Sequence, residues 1–469
     1  MINFQGVKGE NVLKKEVDLI TVSKKENWWT EAMKQGINWS SLWKKEDWWT
    51  VWLGFLLIIA SIAGVVAVPV LPLRWGPGRQ GAETIIGSIP AEILSGILVT
   101  GIINLALFSI GILFIKREEL KKFIVAFPFV FMLAIVAELG GNYAPWRHYG
   151  FNSVIWALGI GLLVSNTIKT PGFMKGAVRT ELYIKTGLVL LGASILFNRM
   201  LALGAMGLGV AWIVTPIVLI SMYWFSQKVL KMHDSKGLAI TIASATSVCG
   251  VSAAIAAGTA AKAKKEEISL AISITLIFTV VMMIGMPALV GALGIDPIVG
   301  GAWLGGTIDA TGAVVAAGAM LGENALEVAS VIKMVQNILI GLIAFGIAIF
   351  FSTVVEKKPA SEVTIGPAEV WVRMPKFIIG FIAASILFSF ILPQNAIDAS
   401  LPSINGFREF LFTLAFISIG LESNFKEMAK MVKGGKPLTL YLVGQALNII
   451  LTFIAAYIFF SGRFFTLPF

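Results

Sequence analysis

The sequence predicts an all-α polytopic membrane protein with 11–13 transmembrane segments, inverted structural repeats and two discontinuous or re-entrant helices rich in Gly, Ala and Ser. Three observations carry that expectation. Of 469 residues, 57% are hydrophobic and only 14% charged, at a mean hydropathy of +0.84, where a soluble chain carries about 25% charged residues. The apolar residues fall in runs of roughly 20, the length that crosses the hydrocarbon core as a helix. Two of those runs are built of small and hydroxyl-bearing residues, and one holds a lone carboxylate, Asp309.

In chain order, residues 1–48 form a Trp- and Lys-rich segment without the basic-then-apolar layout of a secretory signal. "KKENWWT" at 24–30 returns as "KKEDWWT" at 44–50, and half of the fourteen tryptophans lie between Trp28 and Trp52. Lysines interleaved with indoles predict a helix at the headgroup level, an anchor on the cytoplasmic side. Residues 49–149 read as accessory transmembrane helices and 150–469 as a transporter core. The apolar runs are 50–71, 92–115, 123–139, 151–168, 182–199, 207–227, 238–261, 268–291, 298–321, 328–352, 377–392, 408–422 and 437–460, thirteen in all.

The net charge of +10 does not call for nucleic acid, because Lys and Arg collect on the cytoplasmic side of membrane proteins. With the N-terminus inside, "IKREELKK" (115–122), Lys357 and Lys358, and "KEMAKMVKGGK" (426–436) are cytoplasmic, while Arg74, Arg79, Arg147, Arg199 and Arg463 lie outside. "KAKKEE" at 262–267 breaks the pattern if all thirteen runs cross. It conforms if 238–261 dips in from the cytoplasm and turns back, and 298–321 does so from the far side. Eleven crossings and two re-entrant hairpins then remain.

Those two runs attract the chemistry. "ASATSVCGVSAAIAAGTAA" (243–261) and "GGTIDATGAVVAAGAM" (305–320) hold central glycines and scarcely a bulky side chain. Broken backbone at membrane depth is tolerated only where protein buries it or it lines a cavity. Where a helix breaks, free N–H groups and partial positive charge suit an anion, and nearby hydroxyls and carbonyls suit a cation. Thr246, Ser247, Gly250 and Ser252 fit that role in the first run, and Thr307, Asp309, Thr311 and Gly312 in the second. The competing reading is close helix packing, which small residues also serve. Asp309 is the expected coupling residue, exchanging a proton or binding Na⁺. Lys333 is its counter-ion or a snorkelling lysine, and Asn166, Gln336 and Asn337 glue helices or line the pathway. Glu138 and Glu422 lie near helix ends as interfacial or pathway residues. The single cysteine, Cys249, excludes an internal disulfide, and no Cys/His cluster calls for a metal or other cofactor.

"LVLLGASILFNRMLALG" (188–204) and "FISIGLESNFKEMAKMVKGG" (416–435) echo each other on helices of opposite direction, as an inverted repeat requires. Together with "LGIGLLVSN…PGF" (158–173), "TSVCGVSAAIAA", the "VIKMVQN" that follows the Asp309 run, and "ISIGLESNFKE", these stretches resemble the sulfate exporter family of YeiH-like bacterial membrane proteins over about residues 150–445. The resemblance implies kinship with the cation/proton antiporter and anion transporter superfamily, a core of crossed discontinuous helices beside a panel domain, and a bacterial plasma-membrane location. It departs from the family at Asp309, where many members carry His, and in the Trp-rich N-terminal region.

The expected function is a secondary active transporter of a small anion such as sulfate or a sulfonate, coupled to H⁺ or Na⁺, with the bilayer as its surroundings and room for homo-oligomers. A cation/proton antiporter is the alternative, and a non-transporting scaffold or sensor a third. The chain has no nucleotide-binding motif, and two histidines with one cysteine offer an enzyme little.

Overall fold

The computed structural model describes residues 41–79, 82–148, 151–356, 374–431 and 435–468. The echo at 24–30 and Lys357 and Lys358 lie outside them. The described chain is helical, and its one β contact is an isolated bridge between Trp75 and Tyr143. Its principal helices are α1 (Glu46–Ile62), α2 (Ala91–Lys116), α3 (Leu120–Gly141), α4 (Ser153–Thr167), α5 (Thr180–Ser194), α6 (Phe197–Lys228), α7 (Lys236–Ser247), α8 (Gly250–Ala260), α9 (Lys265–Ala292), α10 (Pro297–Thr307), α11 (Thr311–Leu321), α12 (Glu323–Phe350), α13 (Phe377–Ile386), α14 (Gln394–Glu422), α15 (Phe425–Met431) and α16 (Lys436–Phe460).

Among the described residues, six apolar helical stretches are long enough to cross a bilayer: Ala91–Gly141, Phe197–Lys228, Lys265–Ala292, Glu323–Val355, Gln394–Glu422 and Lys436–Phe460. The first is α2 and α3 joined through a turn of 3₁₀ helix at Arg117–Glu119. Leu98, Ile102 and Phe114 of α2 are each more than half exposed. An outward apolar surface of this kind is stable only against lipid. This is a multi-pass membrane protein.

Three boundaries differ from the sequence reading, and in one of them α6 begins at Phe197, ten residues ahead of the run at 207–227. The run at 50–71 is helical only to Ile62. The run at 408–422 belongs to a helix that begins fourteen residues earlier, at Gln394. The polar stretch 394–407 is legible as helix only when its neighbours are known, since Ser400, Ser403, Ile404 and Phe407 are buried against protein.

The helices pack as two bundles. One joins α1, α3, α4, α5, α13 and α14, with α2 on its outside; the other joins α6 to α12 and α16. They meet along a seam where α11 lies on α4, α5 and α14, and where α9 lies on α15. At the rim of the first bundle, Trp43 stacks on Trp52 at 5.4 Å and Trp49 on Phe114 at 5.0 Å.

The two small-residue runs are interrupted helices folded back on themselves. α7 stops at Ser247, Val248 and Cys249 leave the helical conformation, and α8 starts at Gly250. A Cβ built on Gly258 would lie 3.0 Å from Thr241 Oγ1, and one on Gly237 3.0 Å from the Cα of Ala263. Those pairs are symmetric about the break, so α7 and α8 form a hairpin. In the second run α10 stops at Thr307, Ile308 and Ala310 are extended, and α11 starts at Thr311. Here a Cβ on Gly300 would stand 3.1 Å from Leu321 Cδ1, again a hairpin. Small residues let both seat deeply. A Cβ on Gly301 would meet Ala325 O at 2.5 Å and one on Gly305 would meet Ala329 O at 2.7 Å, so only glycine allows α10 this close to α12.

α9 connects the base of the first hairpin to the base of the second. Its 28 residues span about 42 Å at 1.5 Å per residue. Each hairpin arm, of 11 or 12 residues, reaches roughly 16–18 Å. The hairpins therefore enter the bundle from opposite ends and meet near its middle.

Candidate functional site

The two tips touch: Gly250 N–H donates to Asp309 O at 2.7 Å. A helix end leaves its last carbonyls without intrahelical partners, and here two helices end inside the protein. Polar side chains from three flanking helices supply the donors. Lys333 of α12 donates from Nζ to Val248 O at 2.5 Å, to Ile308 O at 2.8 Å and to Gln336 Oε1 at 2.8 Å. One ammonium thus clamps both tips. Gln336 Nε2 donates to Ser247 O at 3.0 Å and Gly306 O at 3.1 Å. From α6, Thr215 Oγ1 also reaches Ser247 O at 3.0 Å. From α16, Gln445 Nε2 donates to Thr307 O at 3.2 Å and Asn448 Nδ2 to Thr246 O at 3.2 Å.

Asp309 is 1% exposed. Its Oδ2 accepts from Tyr441 O–H at 2.7 Å, and its Oδ1 has no hydrogen-bond partner. The carboxylate is engaged by Tyr441, and the Lys333 ammonium bonds carbonyls of both tips while lying close enough for its charge to act on Asp309. Asn337 Nδ2 donates to Thr311 Oγ1 at 3.0 Å. Its Oδ1 is unpartnered, as are Thr307 Oγ1 and Gln445 Oε1. Buried polar atoms without partners are rare enough that each asks for a reason. Three of these four atoms can only accept, a pattern that suits a proton or a cation.

The other sequence-selected residues divide. Thr246 and Ser247 reach the site through their carbonyls; their hydroxyls turn back onto Ile242 O at 2.9 Å and Ser244 O at 3.5 Å in their own helix. Ser252 is exposed on the first turn of α8. Gly312, on the first turn of α11, faces across the seam, and a Cβ there would lie 3.4 Å from Ile419 and 3.8 Å from Thr180. Thr180 O–H donates to Glu422 Oε2 at 2.8 Å, which places Glu422 on the first bundle opposite the second tip. Asn166 belongs elsewhere. It donates to Ser423 O at 2.9 Å and accepts from Phe425 N at 2.8 Å, fastening α4 to the turn between α14 and α15. Glu138 is buried within the first bundle, accepting from Ser153 Oγ at 2.7 Å and Thr413 Oγ1 at 2.6 Å.

Tyr441, Gln445, Asn448 and Thr215 were missed by sequence reasoning. A signal existed: Tyr441, Gln445, Asn448 and Thr452 recur at helical spacing along one face of α16, and all four are buried. A second signal lies in the tips themselves. "SVCGVSAAIAAG" (247–258) and "TIDATGAVVAAG" (307–318) align residue for residue, with a hydroxyl residue at the helix end and Ala-Ala-Gly at the close.

A family model described as Conserved hypothetical protein 698 matches residues 125–441, which takes in both hairpins, Lys333 and Tyr441. The chain belongs to this family. Among curated proteins similar to it, a UPF0324 membrane protein of Rhodopirellula baltica is 50% identical over 404 residues, covering 85% of this chain and 74% of the relative. Another, of Nitratidesulfovibrio vulgaris, is 50% identical over 362 residues, covering 75% of this chain and 62% of the relative. This chain thus spans less than two thirds of that second relative. A UPF0324 membrane protein of Nitrosomonas europaea is 28% identical, covering 84% of this chain and 91% of its own length. No solved structure matches the chain. Among the described residues of this member of the 698 family, no group of three or more His, Cys, Asp or Glu could hold a metal ion.

Proposed function

We propose that the protein is a secondary active transporter of a small anion, coupled to H⁺ or Na⁺ at Asp309. The observation that carries this reading is the meeting of two hairpin tips around one buried acid, with both kinds of ion-binding group in reach. The first turns of α8 and α11 begin at the tips, and the leading N–H groups of a helix have no intrahelical acceptor. Together with the partial positive charge of a helix N-terminus, they suit an anion. Asp309 Oδ1, Asn337 Oδ1 and Gln445 Oε1 are the acceptors left open, and they suit the coupling cation. In this reading the hairpins re-enter the membrane from opposite faces, and the seam between the bundles is the surface along which alternating access occurs. The likeness to the sulfate exporter family supports sulfate or a sulfonate as cargo and a bacterial plasma membrane with the N-terminus inside. No enzymatic activity is proposed.

The same open acceptors favour a second reading, a cation/proton antiporter without anion cargo. A thermal-stability screen of purified protein against sulfate, sulfite, taurine, small carboxylates and Na⁺ separates the two. A ligand at 100 times its Kd stabilises the folded state by about 2.7 kcal/mol. Anion-dependent stabilisation supports the transporter, and stabilisation by Na⁺ or pH alone supports the antiporter.

A further inference from the structure

A cavity of about 160 Å³ lies in the seam between the bundles, well away in sequence from both tips. The basic-residue distribution assigns this end of the protein, with Arg147 and Arg199, to the outside. Its floor is the start of α4 and the middle of α14, and its opposite wall is Ala319 and Glu323, at the base of the second hairpin. The volume is below the 300–1,000 Å³ of pockets for drug-sized ligands, so it fits one small ion with some water.

Its charged groups are Glu138, Arg147, Glu323, Arg408 and Glu409. Three carboxylates against two guanidinium groups point at first sight to a cation, but their bonding points the other way. Glu323 and Glu409 are satisfied by Arg408 Nη2, at 3.1 and 3.3 Å, and both are mostly exposed to solvent. Glu138 is held by the hydroxyls of Ser153 and Thr413. What remains unspent is donor capacity. Arg408 is only 5% exposed, yet its Nε–H has no partner. The Arg147 side chain, exposed at the rim, makes no ion pair among the described residues, and partial desolvation together with the nearby Arg74 lowers its pKa. Asn152 Nδ2 makes only a long contact, 3.5 Å to Ala319 O. A guanidinium with free N–H groups matches the oxygens of a sulfate, sulfonate or carboxylate.

We propose that this cavity is a second binding site, for a small oxyanion, at the outer mouth of the seam. The choice of oxyanion rests on the transport reading above, but the site itself is tested independently of transport. The occupant bridges α4 and α14 on one side to the base of the second hairpin on the other.

The test is equilibrium binding of sulfate to the full chain, in nanodiscs of neutral lipid, for wild type, Arg147→Gln and Asn152→Asp. Arg147 is exposed and unpaired, so its replacement leaves the packing intact. Asn152→Asp keeps the helix cap that now accepts from Val154 N and Ile155 N and adds a negative charge to the cavity. The expected result is one sulfate-binding event weakened at least tenfold in both variants, with the other unchanged. Loss of all sulfate binding in both variants would uphold the outer site and overturn the anion reading of the central one. Sulfate binding indifferent to both substitutions overturns the outer site and leaves the central reading standing. Tighter Na⁺ binding in Asn152→Asp, with sulfate unaffected, overturns it in favour of a cation. If nanodiscs containing phosphatidylglycerol compete with the Arg147-dependent binding, the oxyanion is a lipid phosphate; if they do not, it is a solute.

Discussion

Replacing Lys333 with methionine removes the ammonium that bonds both hairpin tips while keeping most of the length of the side chain. Three buried acceptors lose their donor: Val248 O, Ile308 O and Gln336 Oε1. An acceptor left unsatisfied costs about 1–3 kcal/mol, so the three together give roughly 3–9 kcal/mol. Against this stands the relief of no longer burying an ammonium, which is worth several kcal/mol. We expect a net local destabilisation of about 2–4 kcal/mol, near the range for breaking buried charge interactions. The bond between Gly250 N and Asp309 O reports it directly. Opening of the tips should become roughly 30- to 700-fold more frequent, at tenfold per 1.4 kcal/mol. Hydrogen exchange read on peptides covering 244–253 and 304–313 measures that, with peptides of α2 as the internal reference. Unchanged exchange at the tips in a folded Lys333→Met protein would refute the clamp. A rise spread evenly over all helices would refute its locality.

Three further outcomes follow from the same contacts. Tyr441→Phe takes the O–H from Asp309 Oδ2 and leaves a buried carboxylate oxygen bare, which costs about 1–3 kcal/mol; a lowered apparent melting temperature that Na⁺ or acid pH restores is expected, and no change speaks against the bond. Gly301→Ala places a Cβ 2.5 Å from Ala325 O and should lose about 1–3 kcal/mol by overpacking, visible as a smaller monodisperse fraction on size exclusion, whereas Gly204→Ala, with open space around it, should not. Asn166→Ala unfastens α4 from the turn after α14 and should cost about 1 kcal/mol while leaving ligand-induced stabilisation as in wild type; loss of ligand binding would put Asn166 in the pathway after all.

Much of this architecture was legible because lipid imposes a simple rule on sequence. The limits of α2, α3, α9 and α16 follow from where the apolar runs stop. The interruptions at 248–249 and 308–310 were foreshadowed by the loss of bulky residues around them, since a hairpin arm packed on α12 as closely as Gly301 and Gly305 are admits little more than glycine. Charge pointed to the base of the first hairpin, where Lys262, Lys264 and Lys265 lie between α8 and α9. Hidden from the sequence was the partner of each polar atom. Gln336, Gln445 and Asn448 look alike as amides on apolar helices, and only the fold shows that each answers a carbonyl freed by a broken helix. Asn166 carries the same signature and does different work, because it meets a different helix end. The first turns of α14 escaped notice because they are polar: Gln394, Asn395 and Asp398 are exposed, and burial against protein begins only at Ser400.

The central claim is that anion cargo and coupling ion share the meeting point of the hairpins, with Asp309 holding the coupling ion. Gradient-driven sulfate or taurine flux in proteoliposomes, compared between wild type and Asp309→Asn under imposed pH and Na⁺ gradients, tests it most directly. The account predicts anion flux that follows one of these gradients in wild type and no longer does so in a folded Asp309→Asn protein. Anion flux equally gradient-driven in both proteins, or cation exchange with no anion moved, would contradict it.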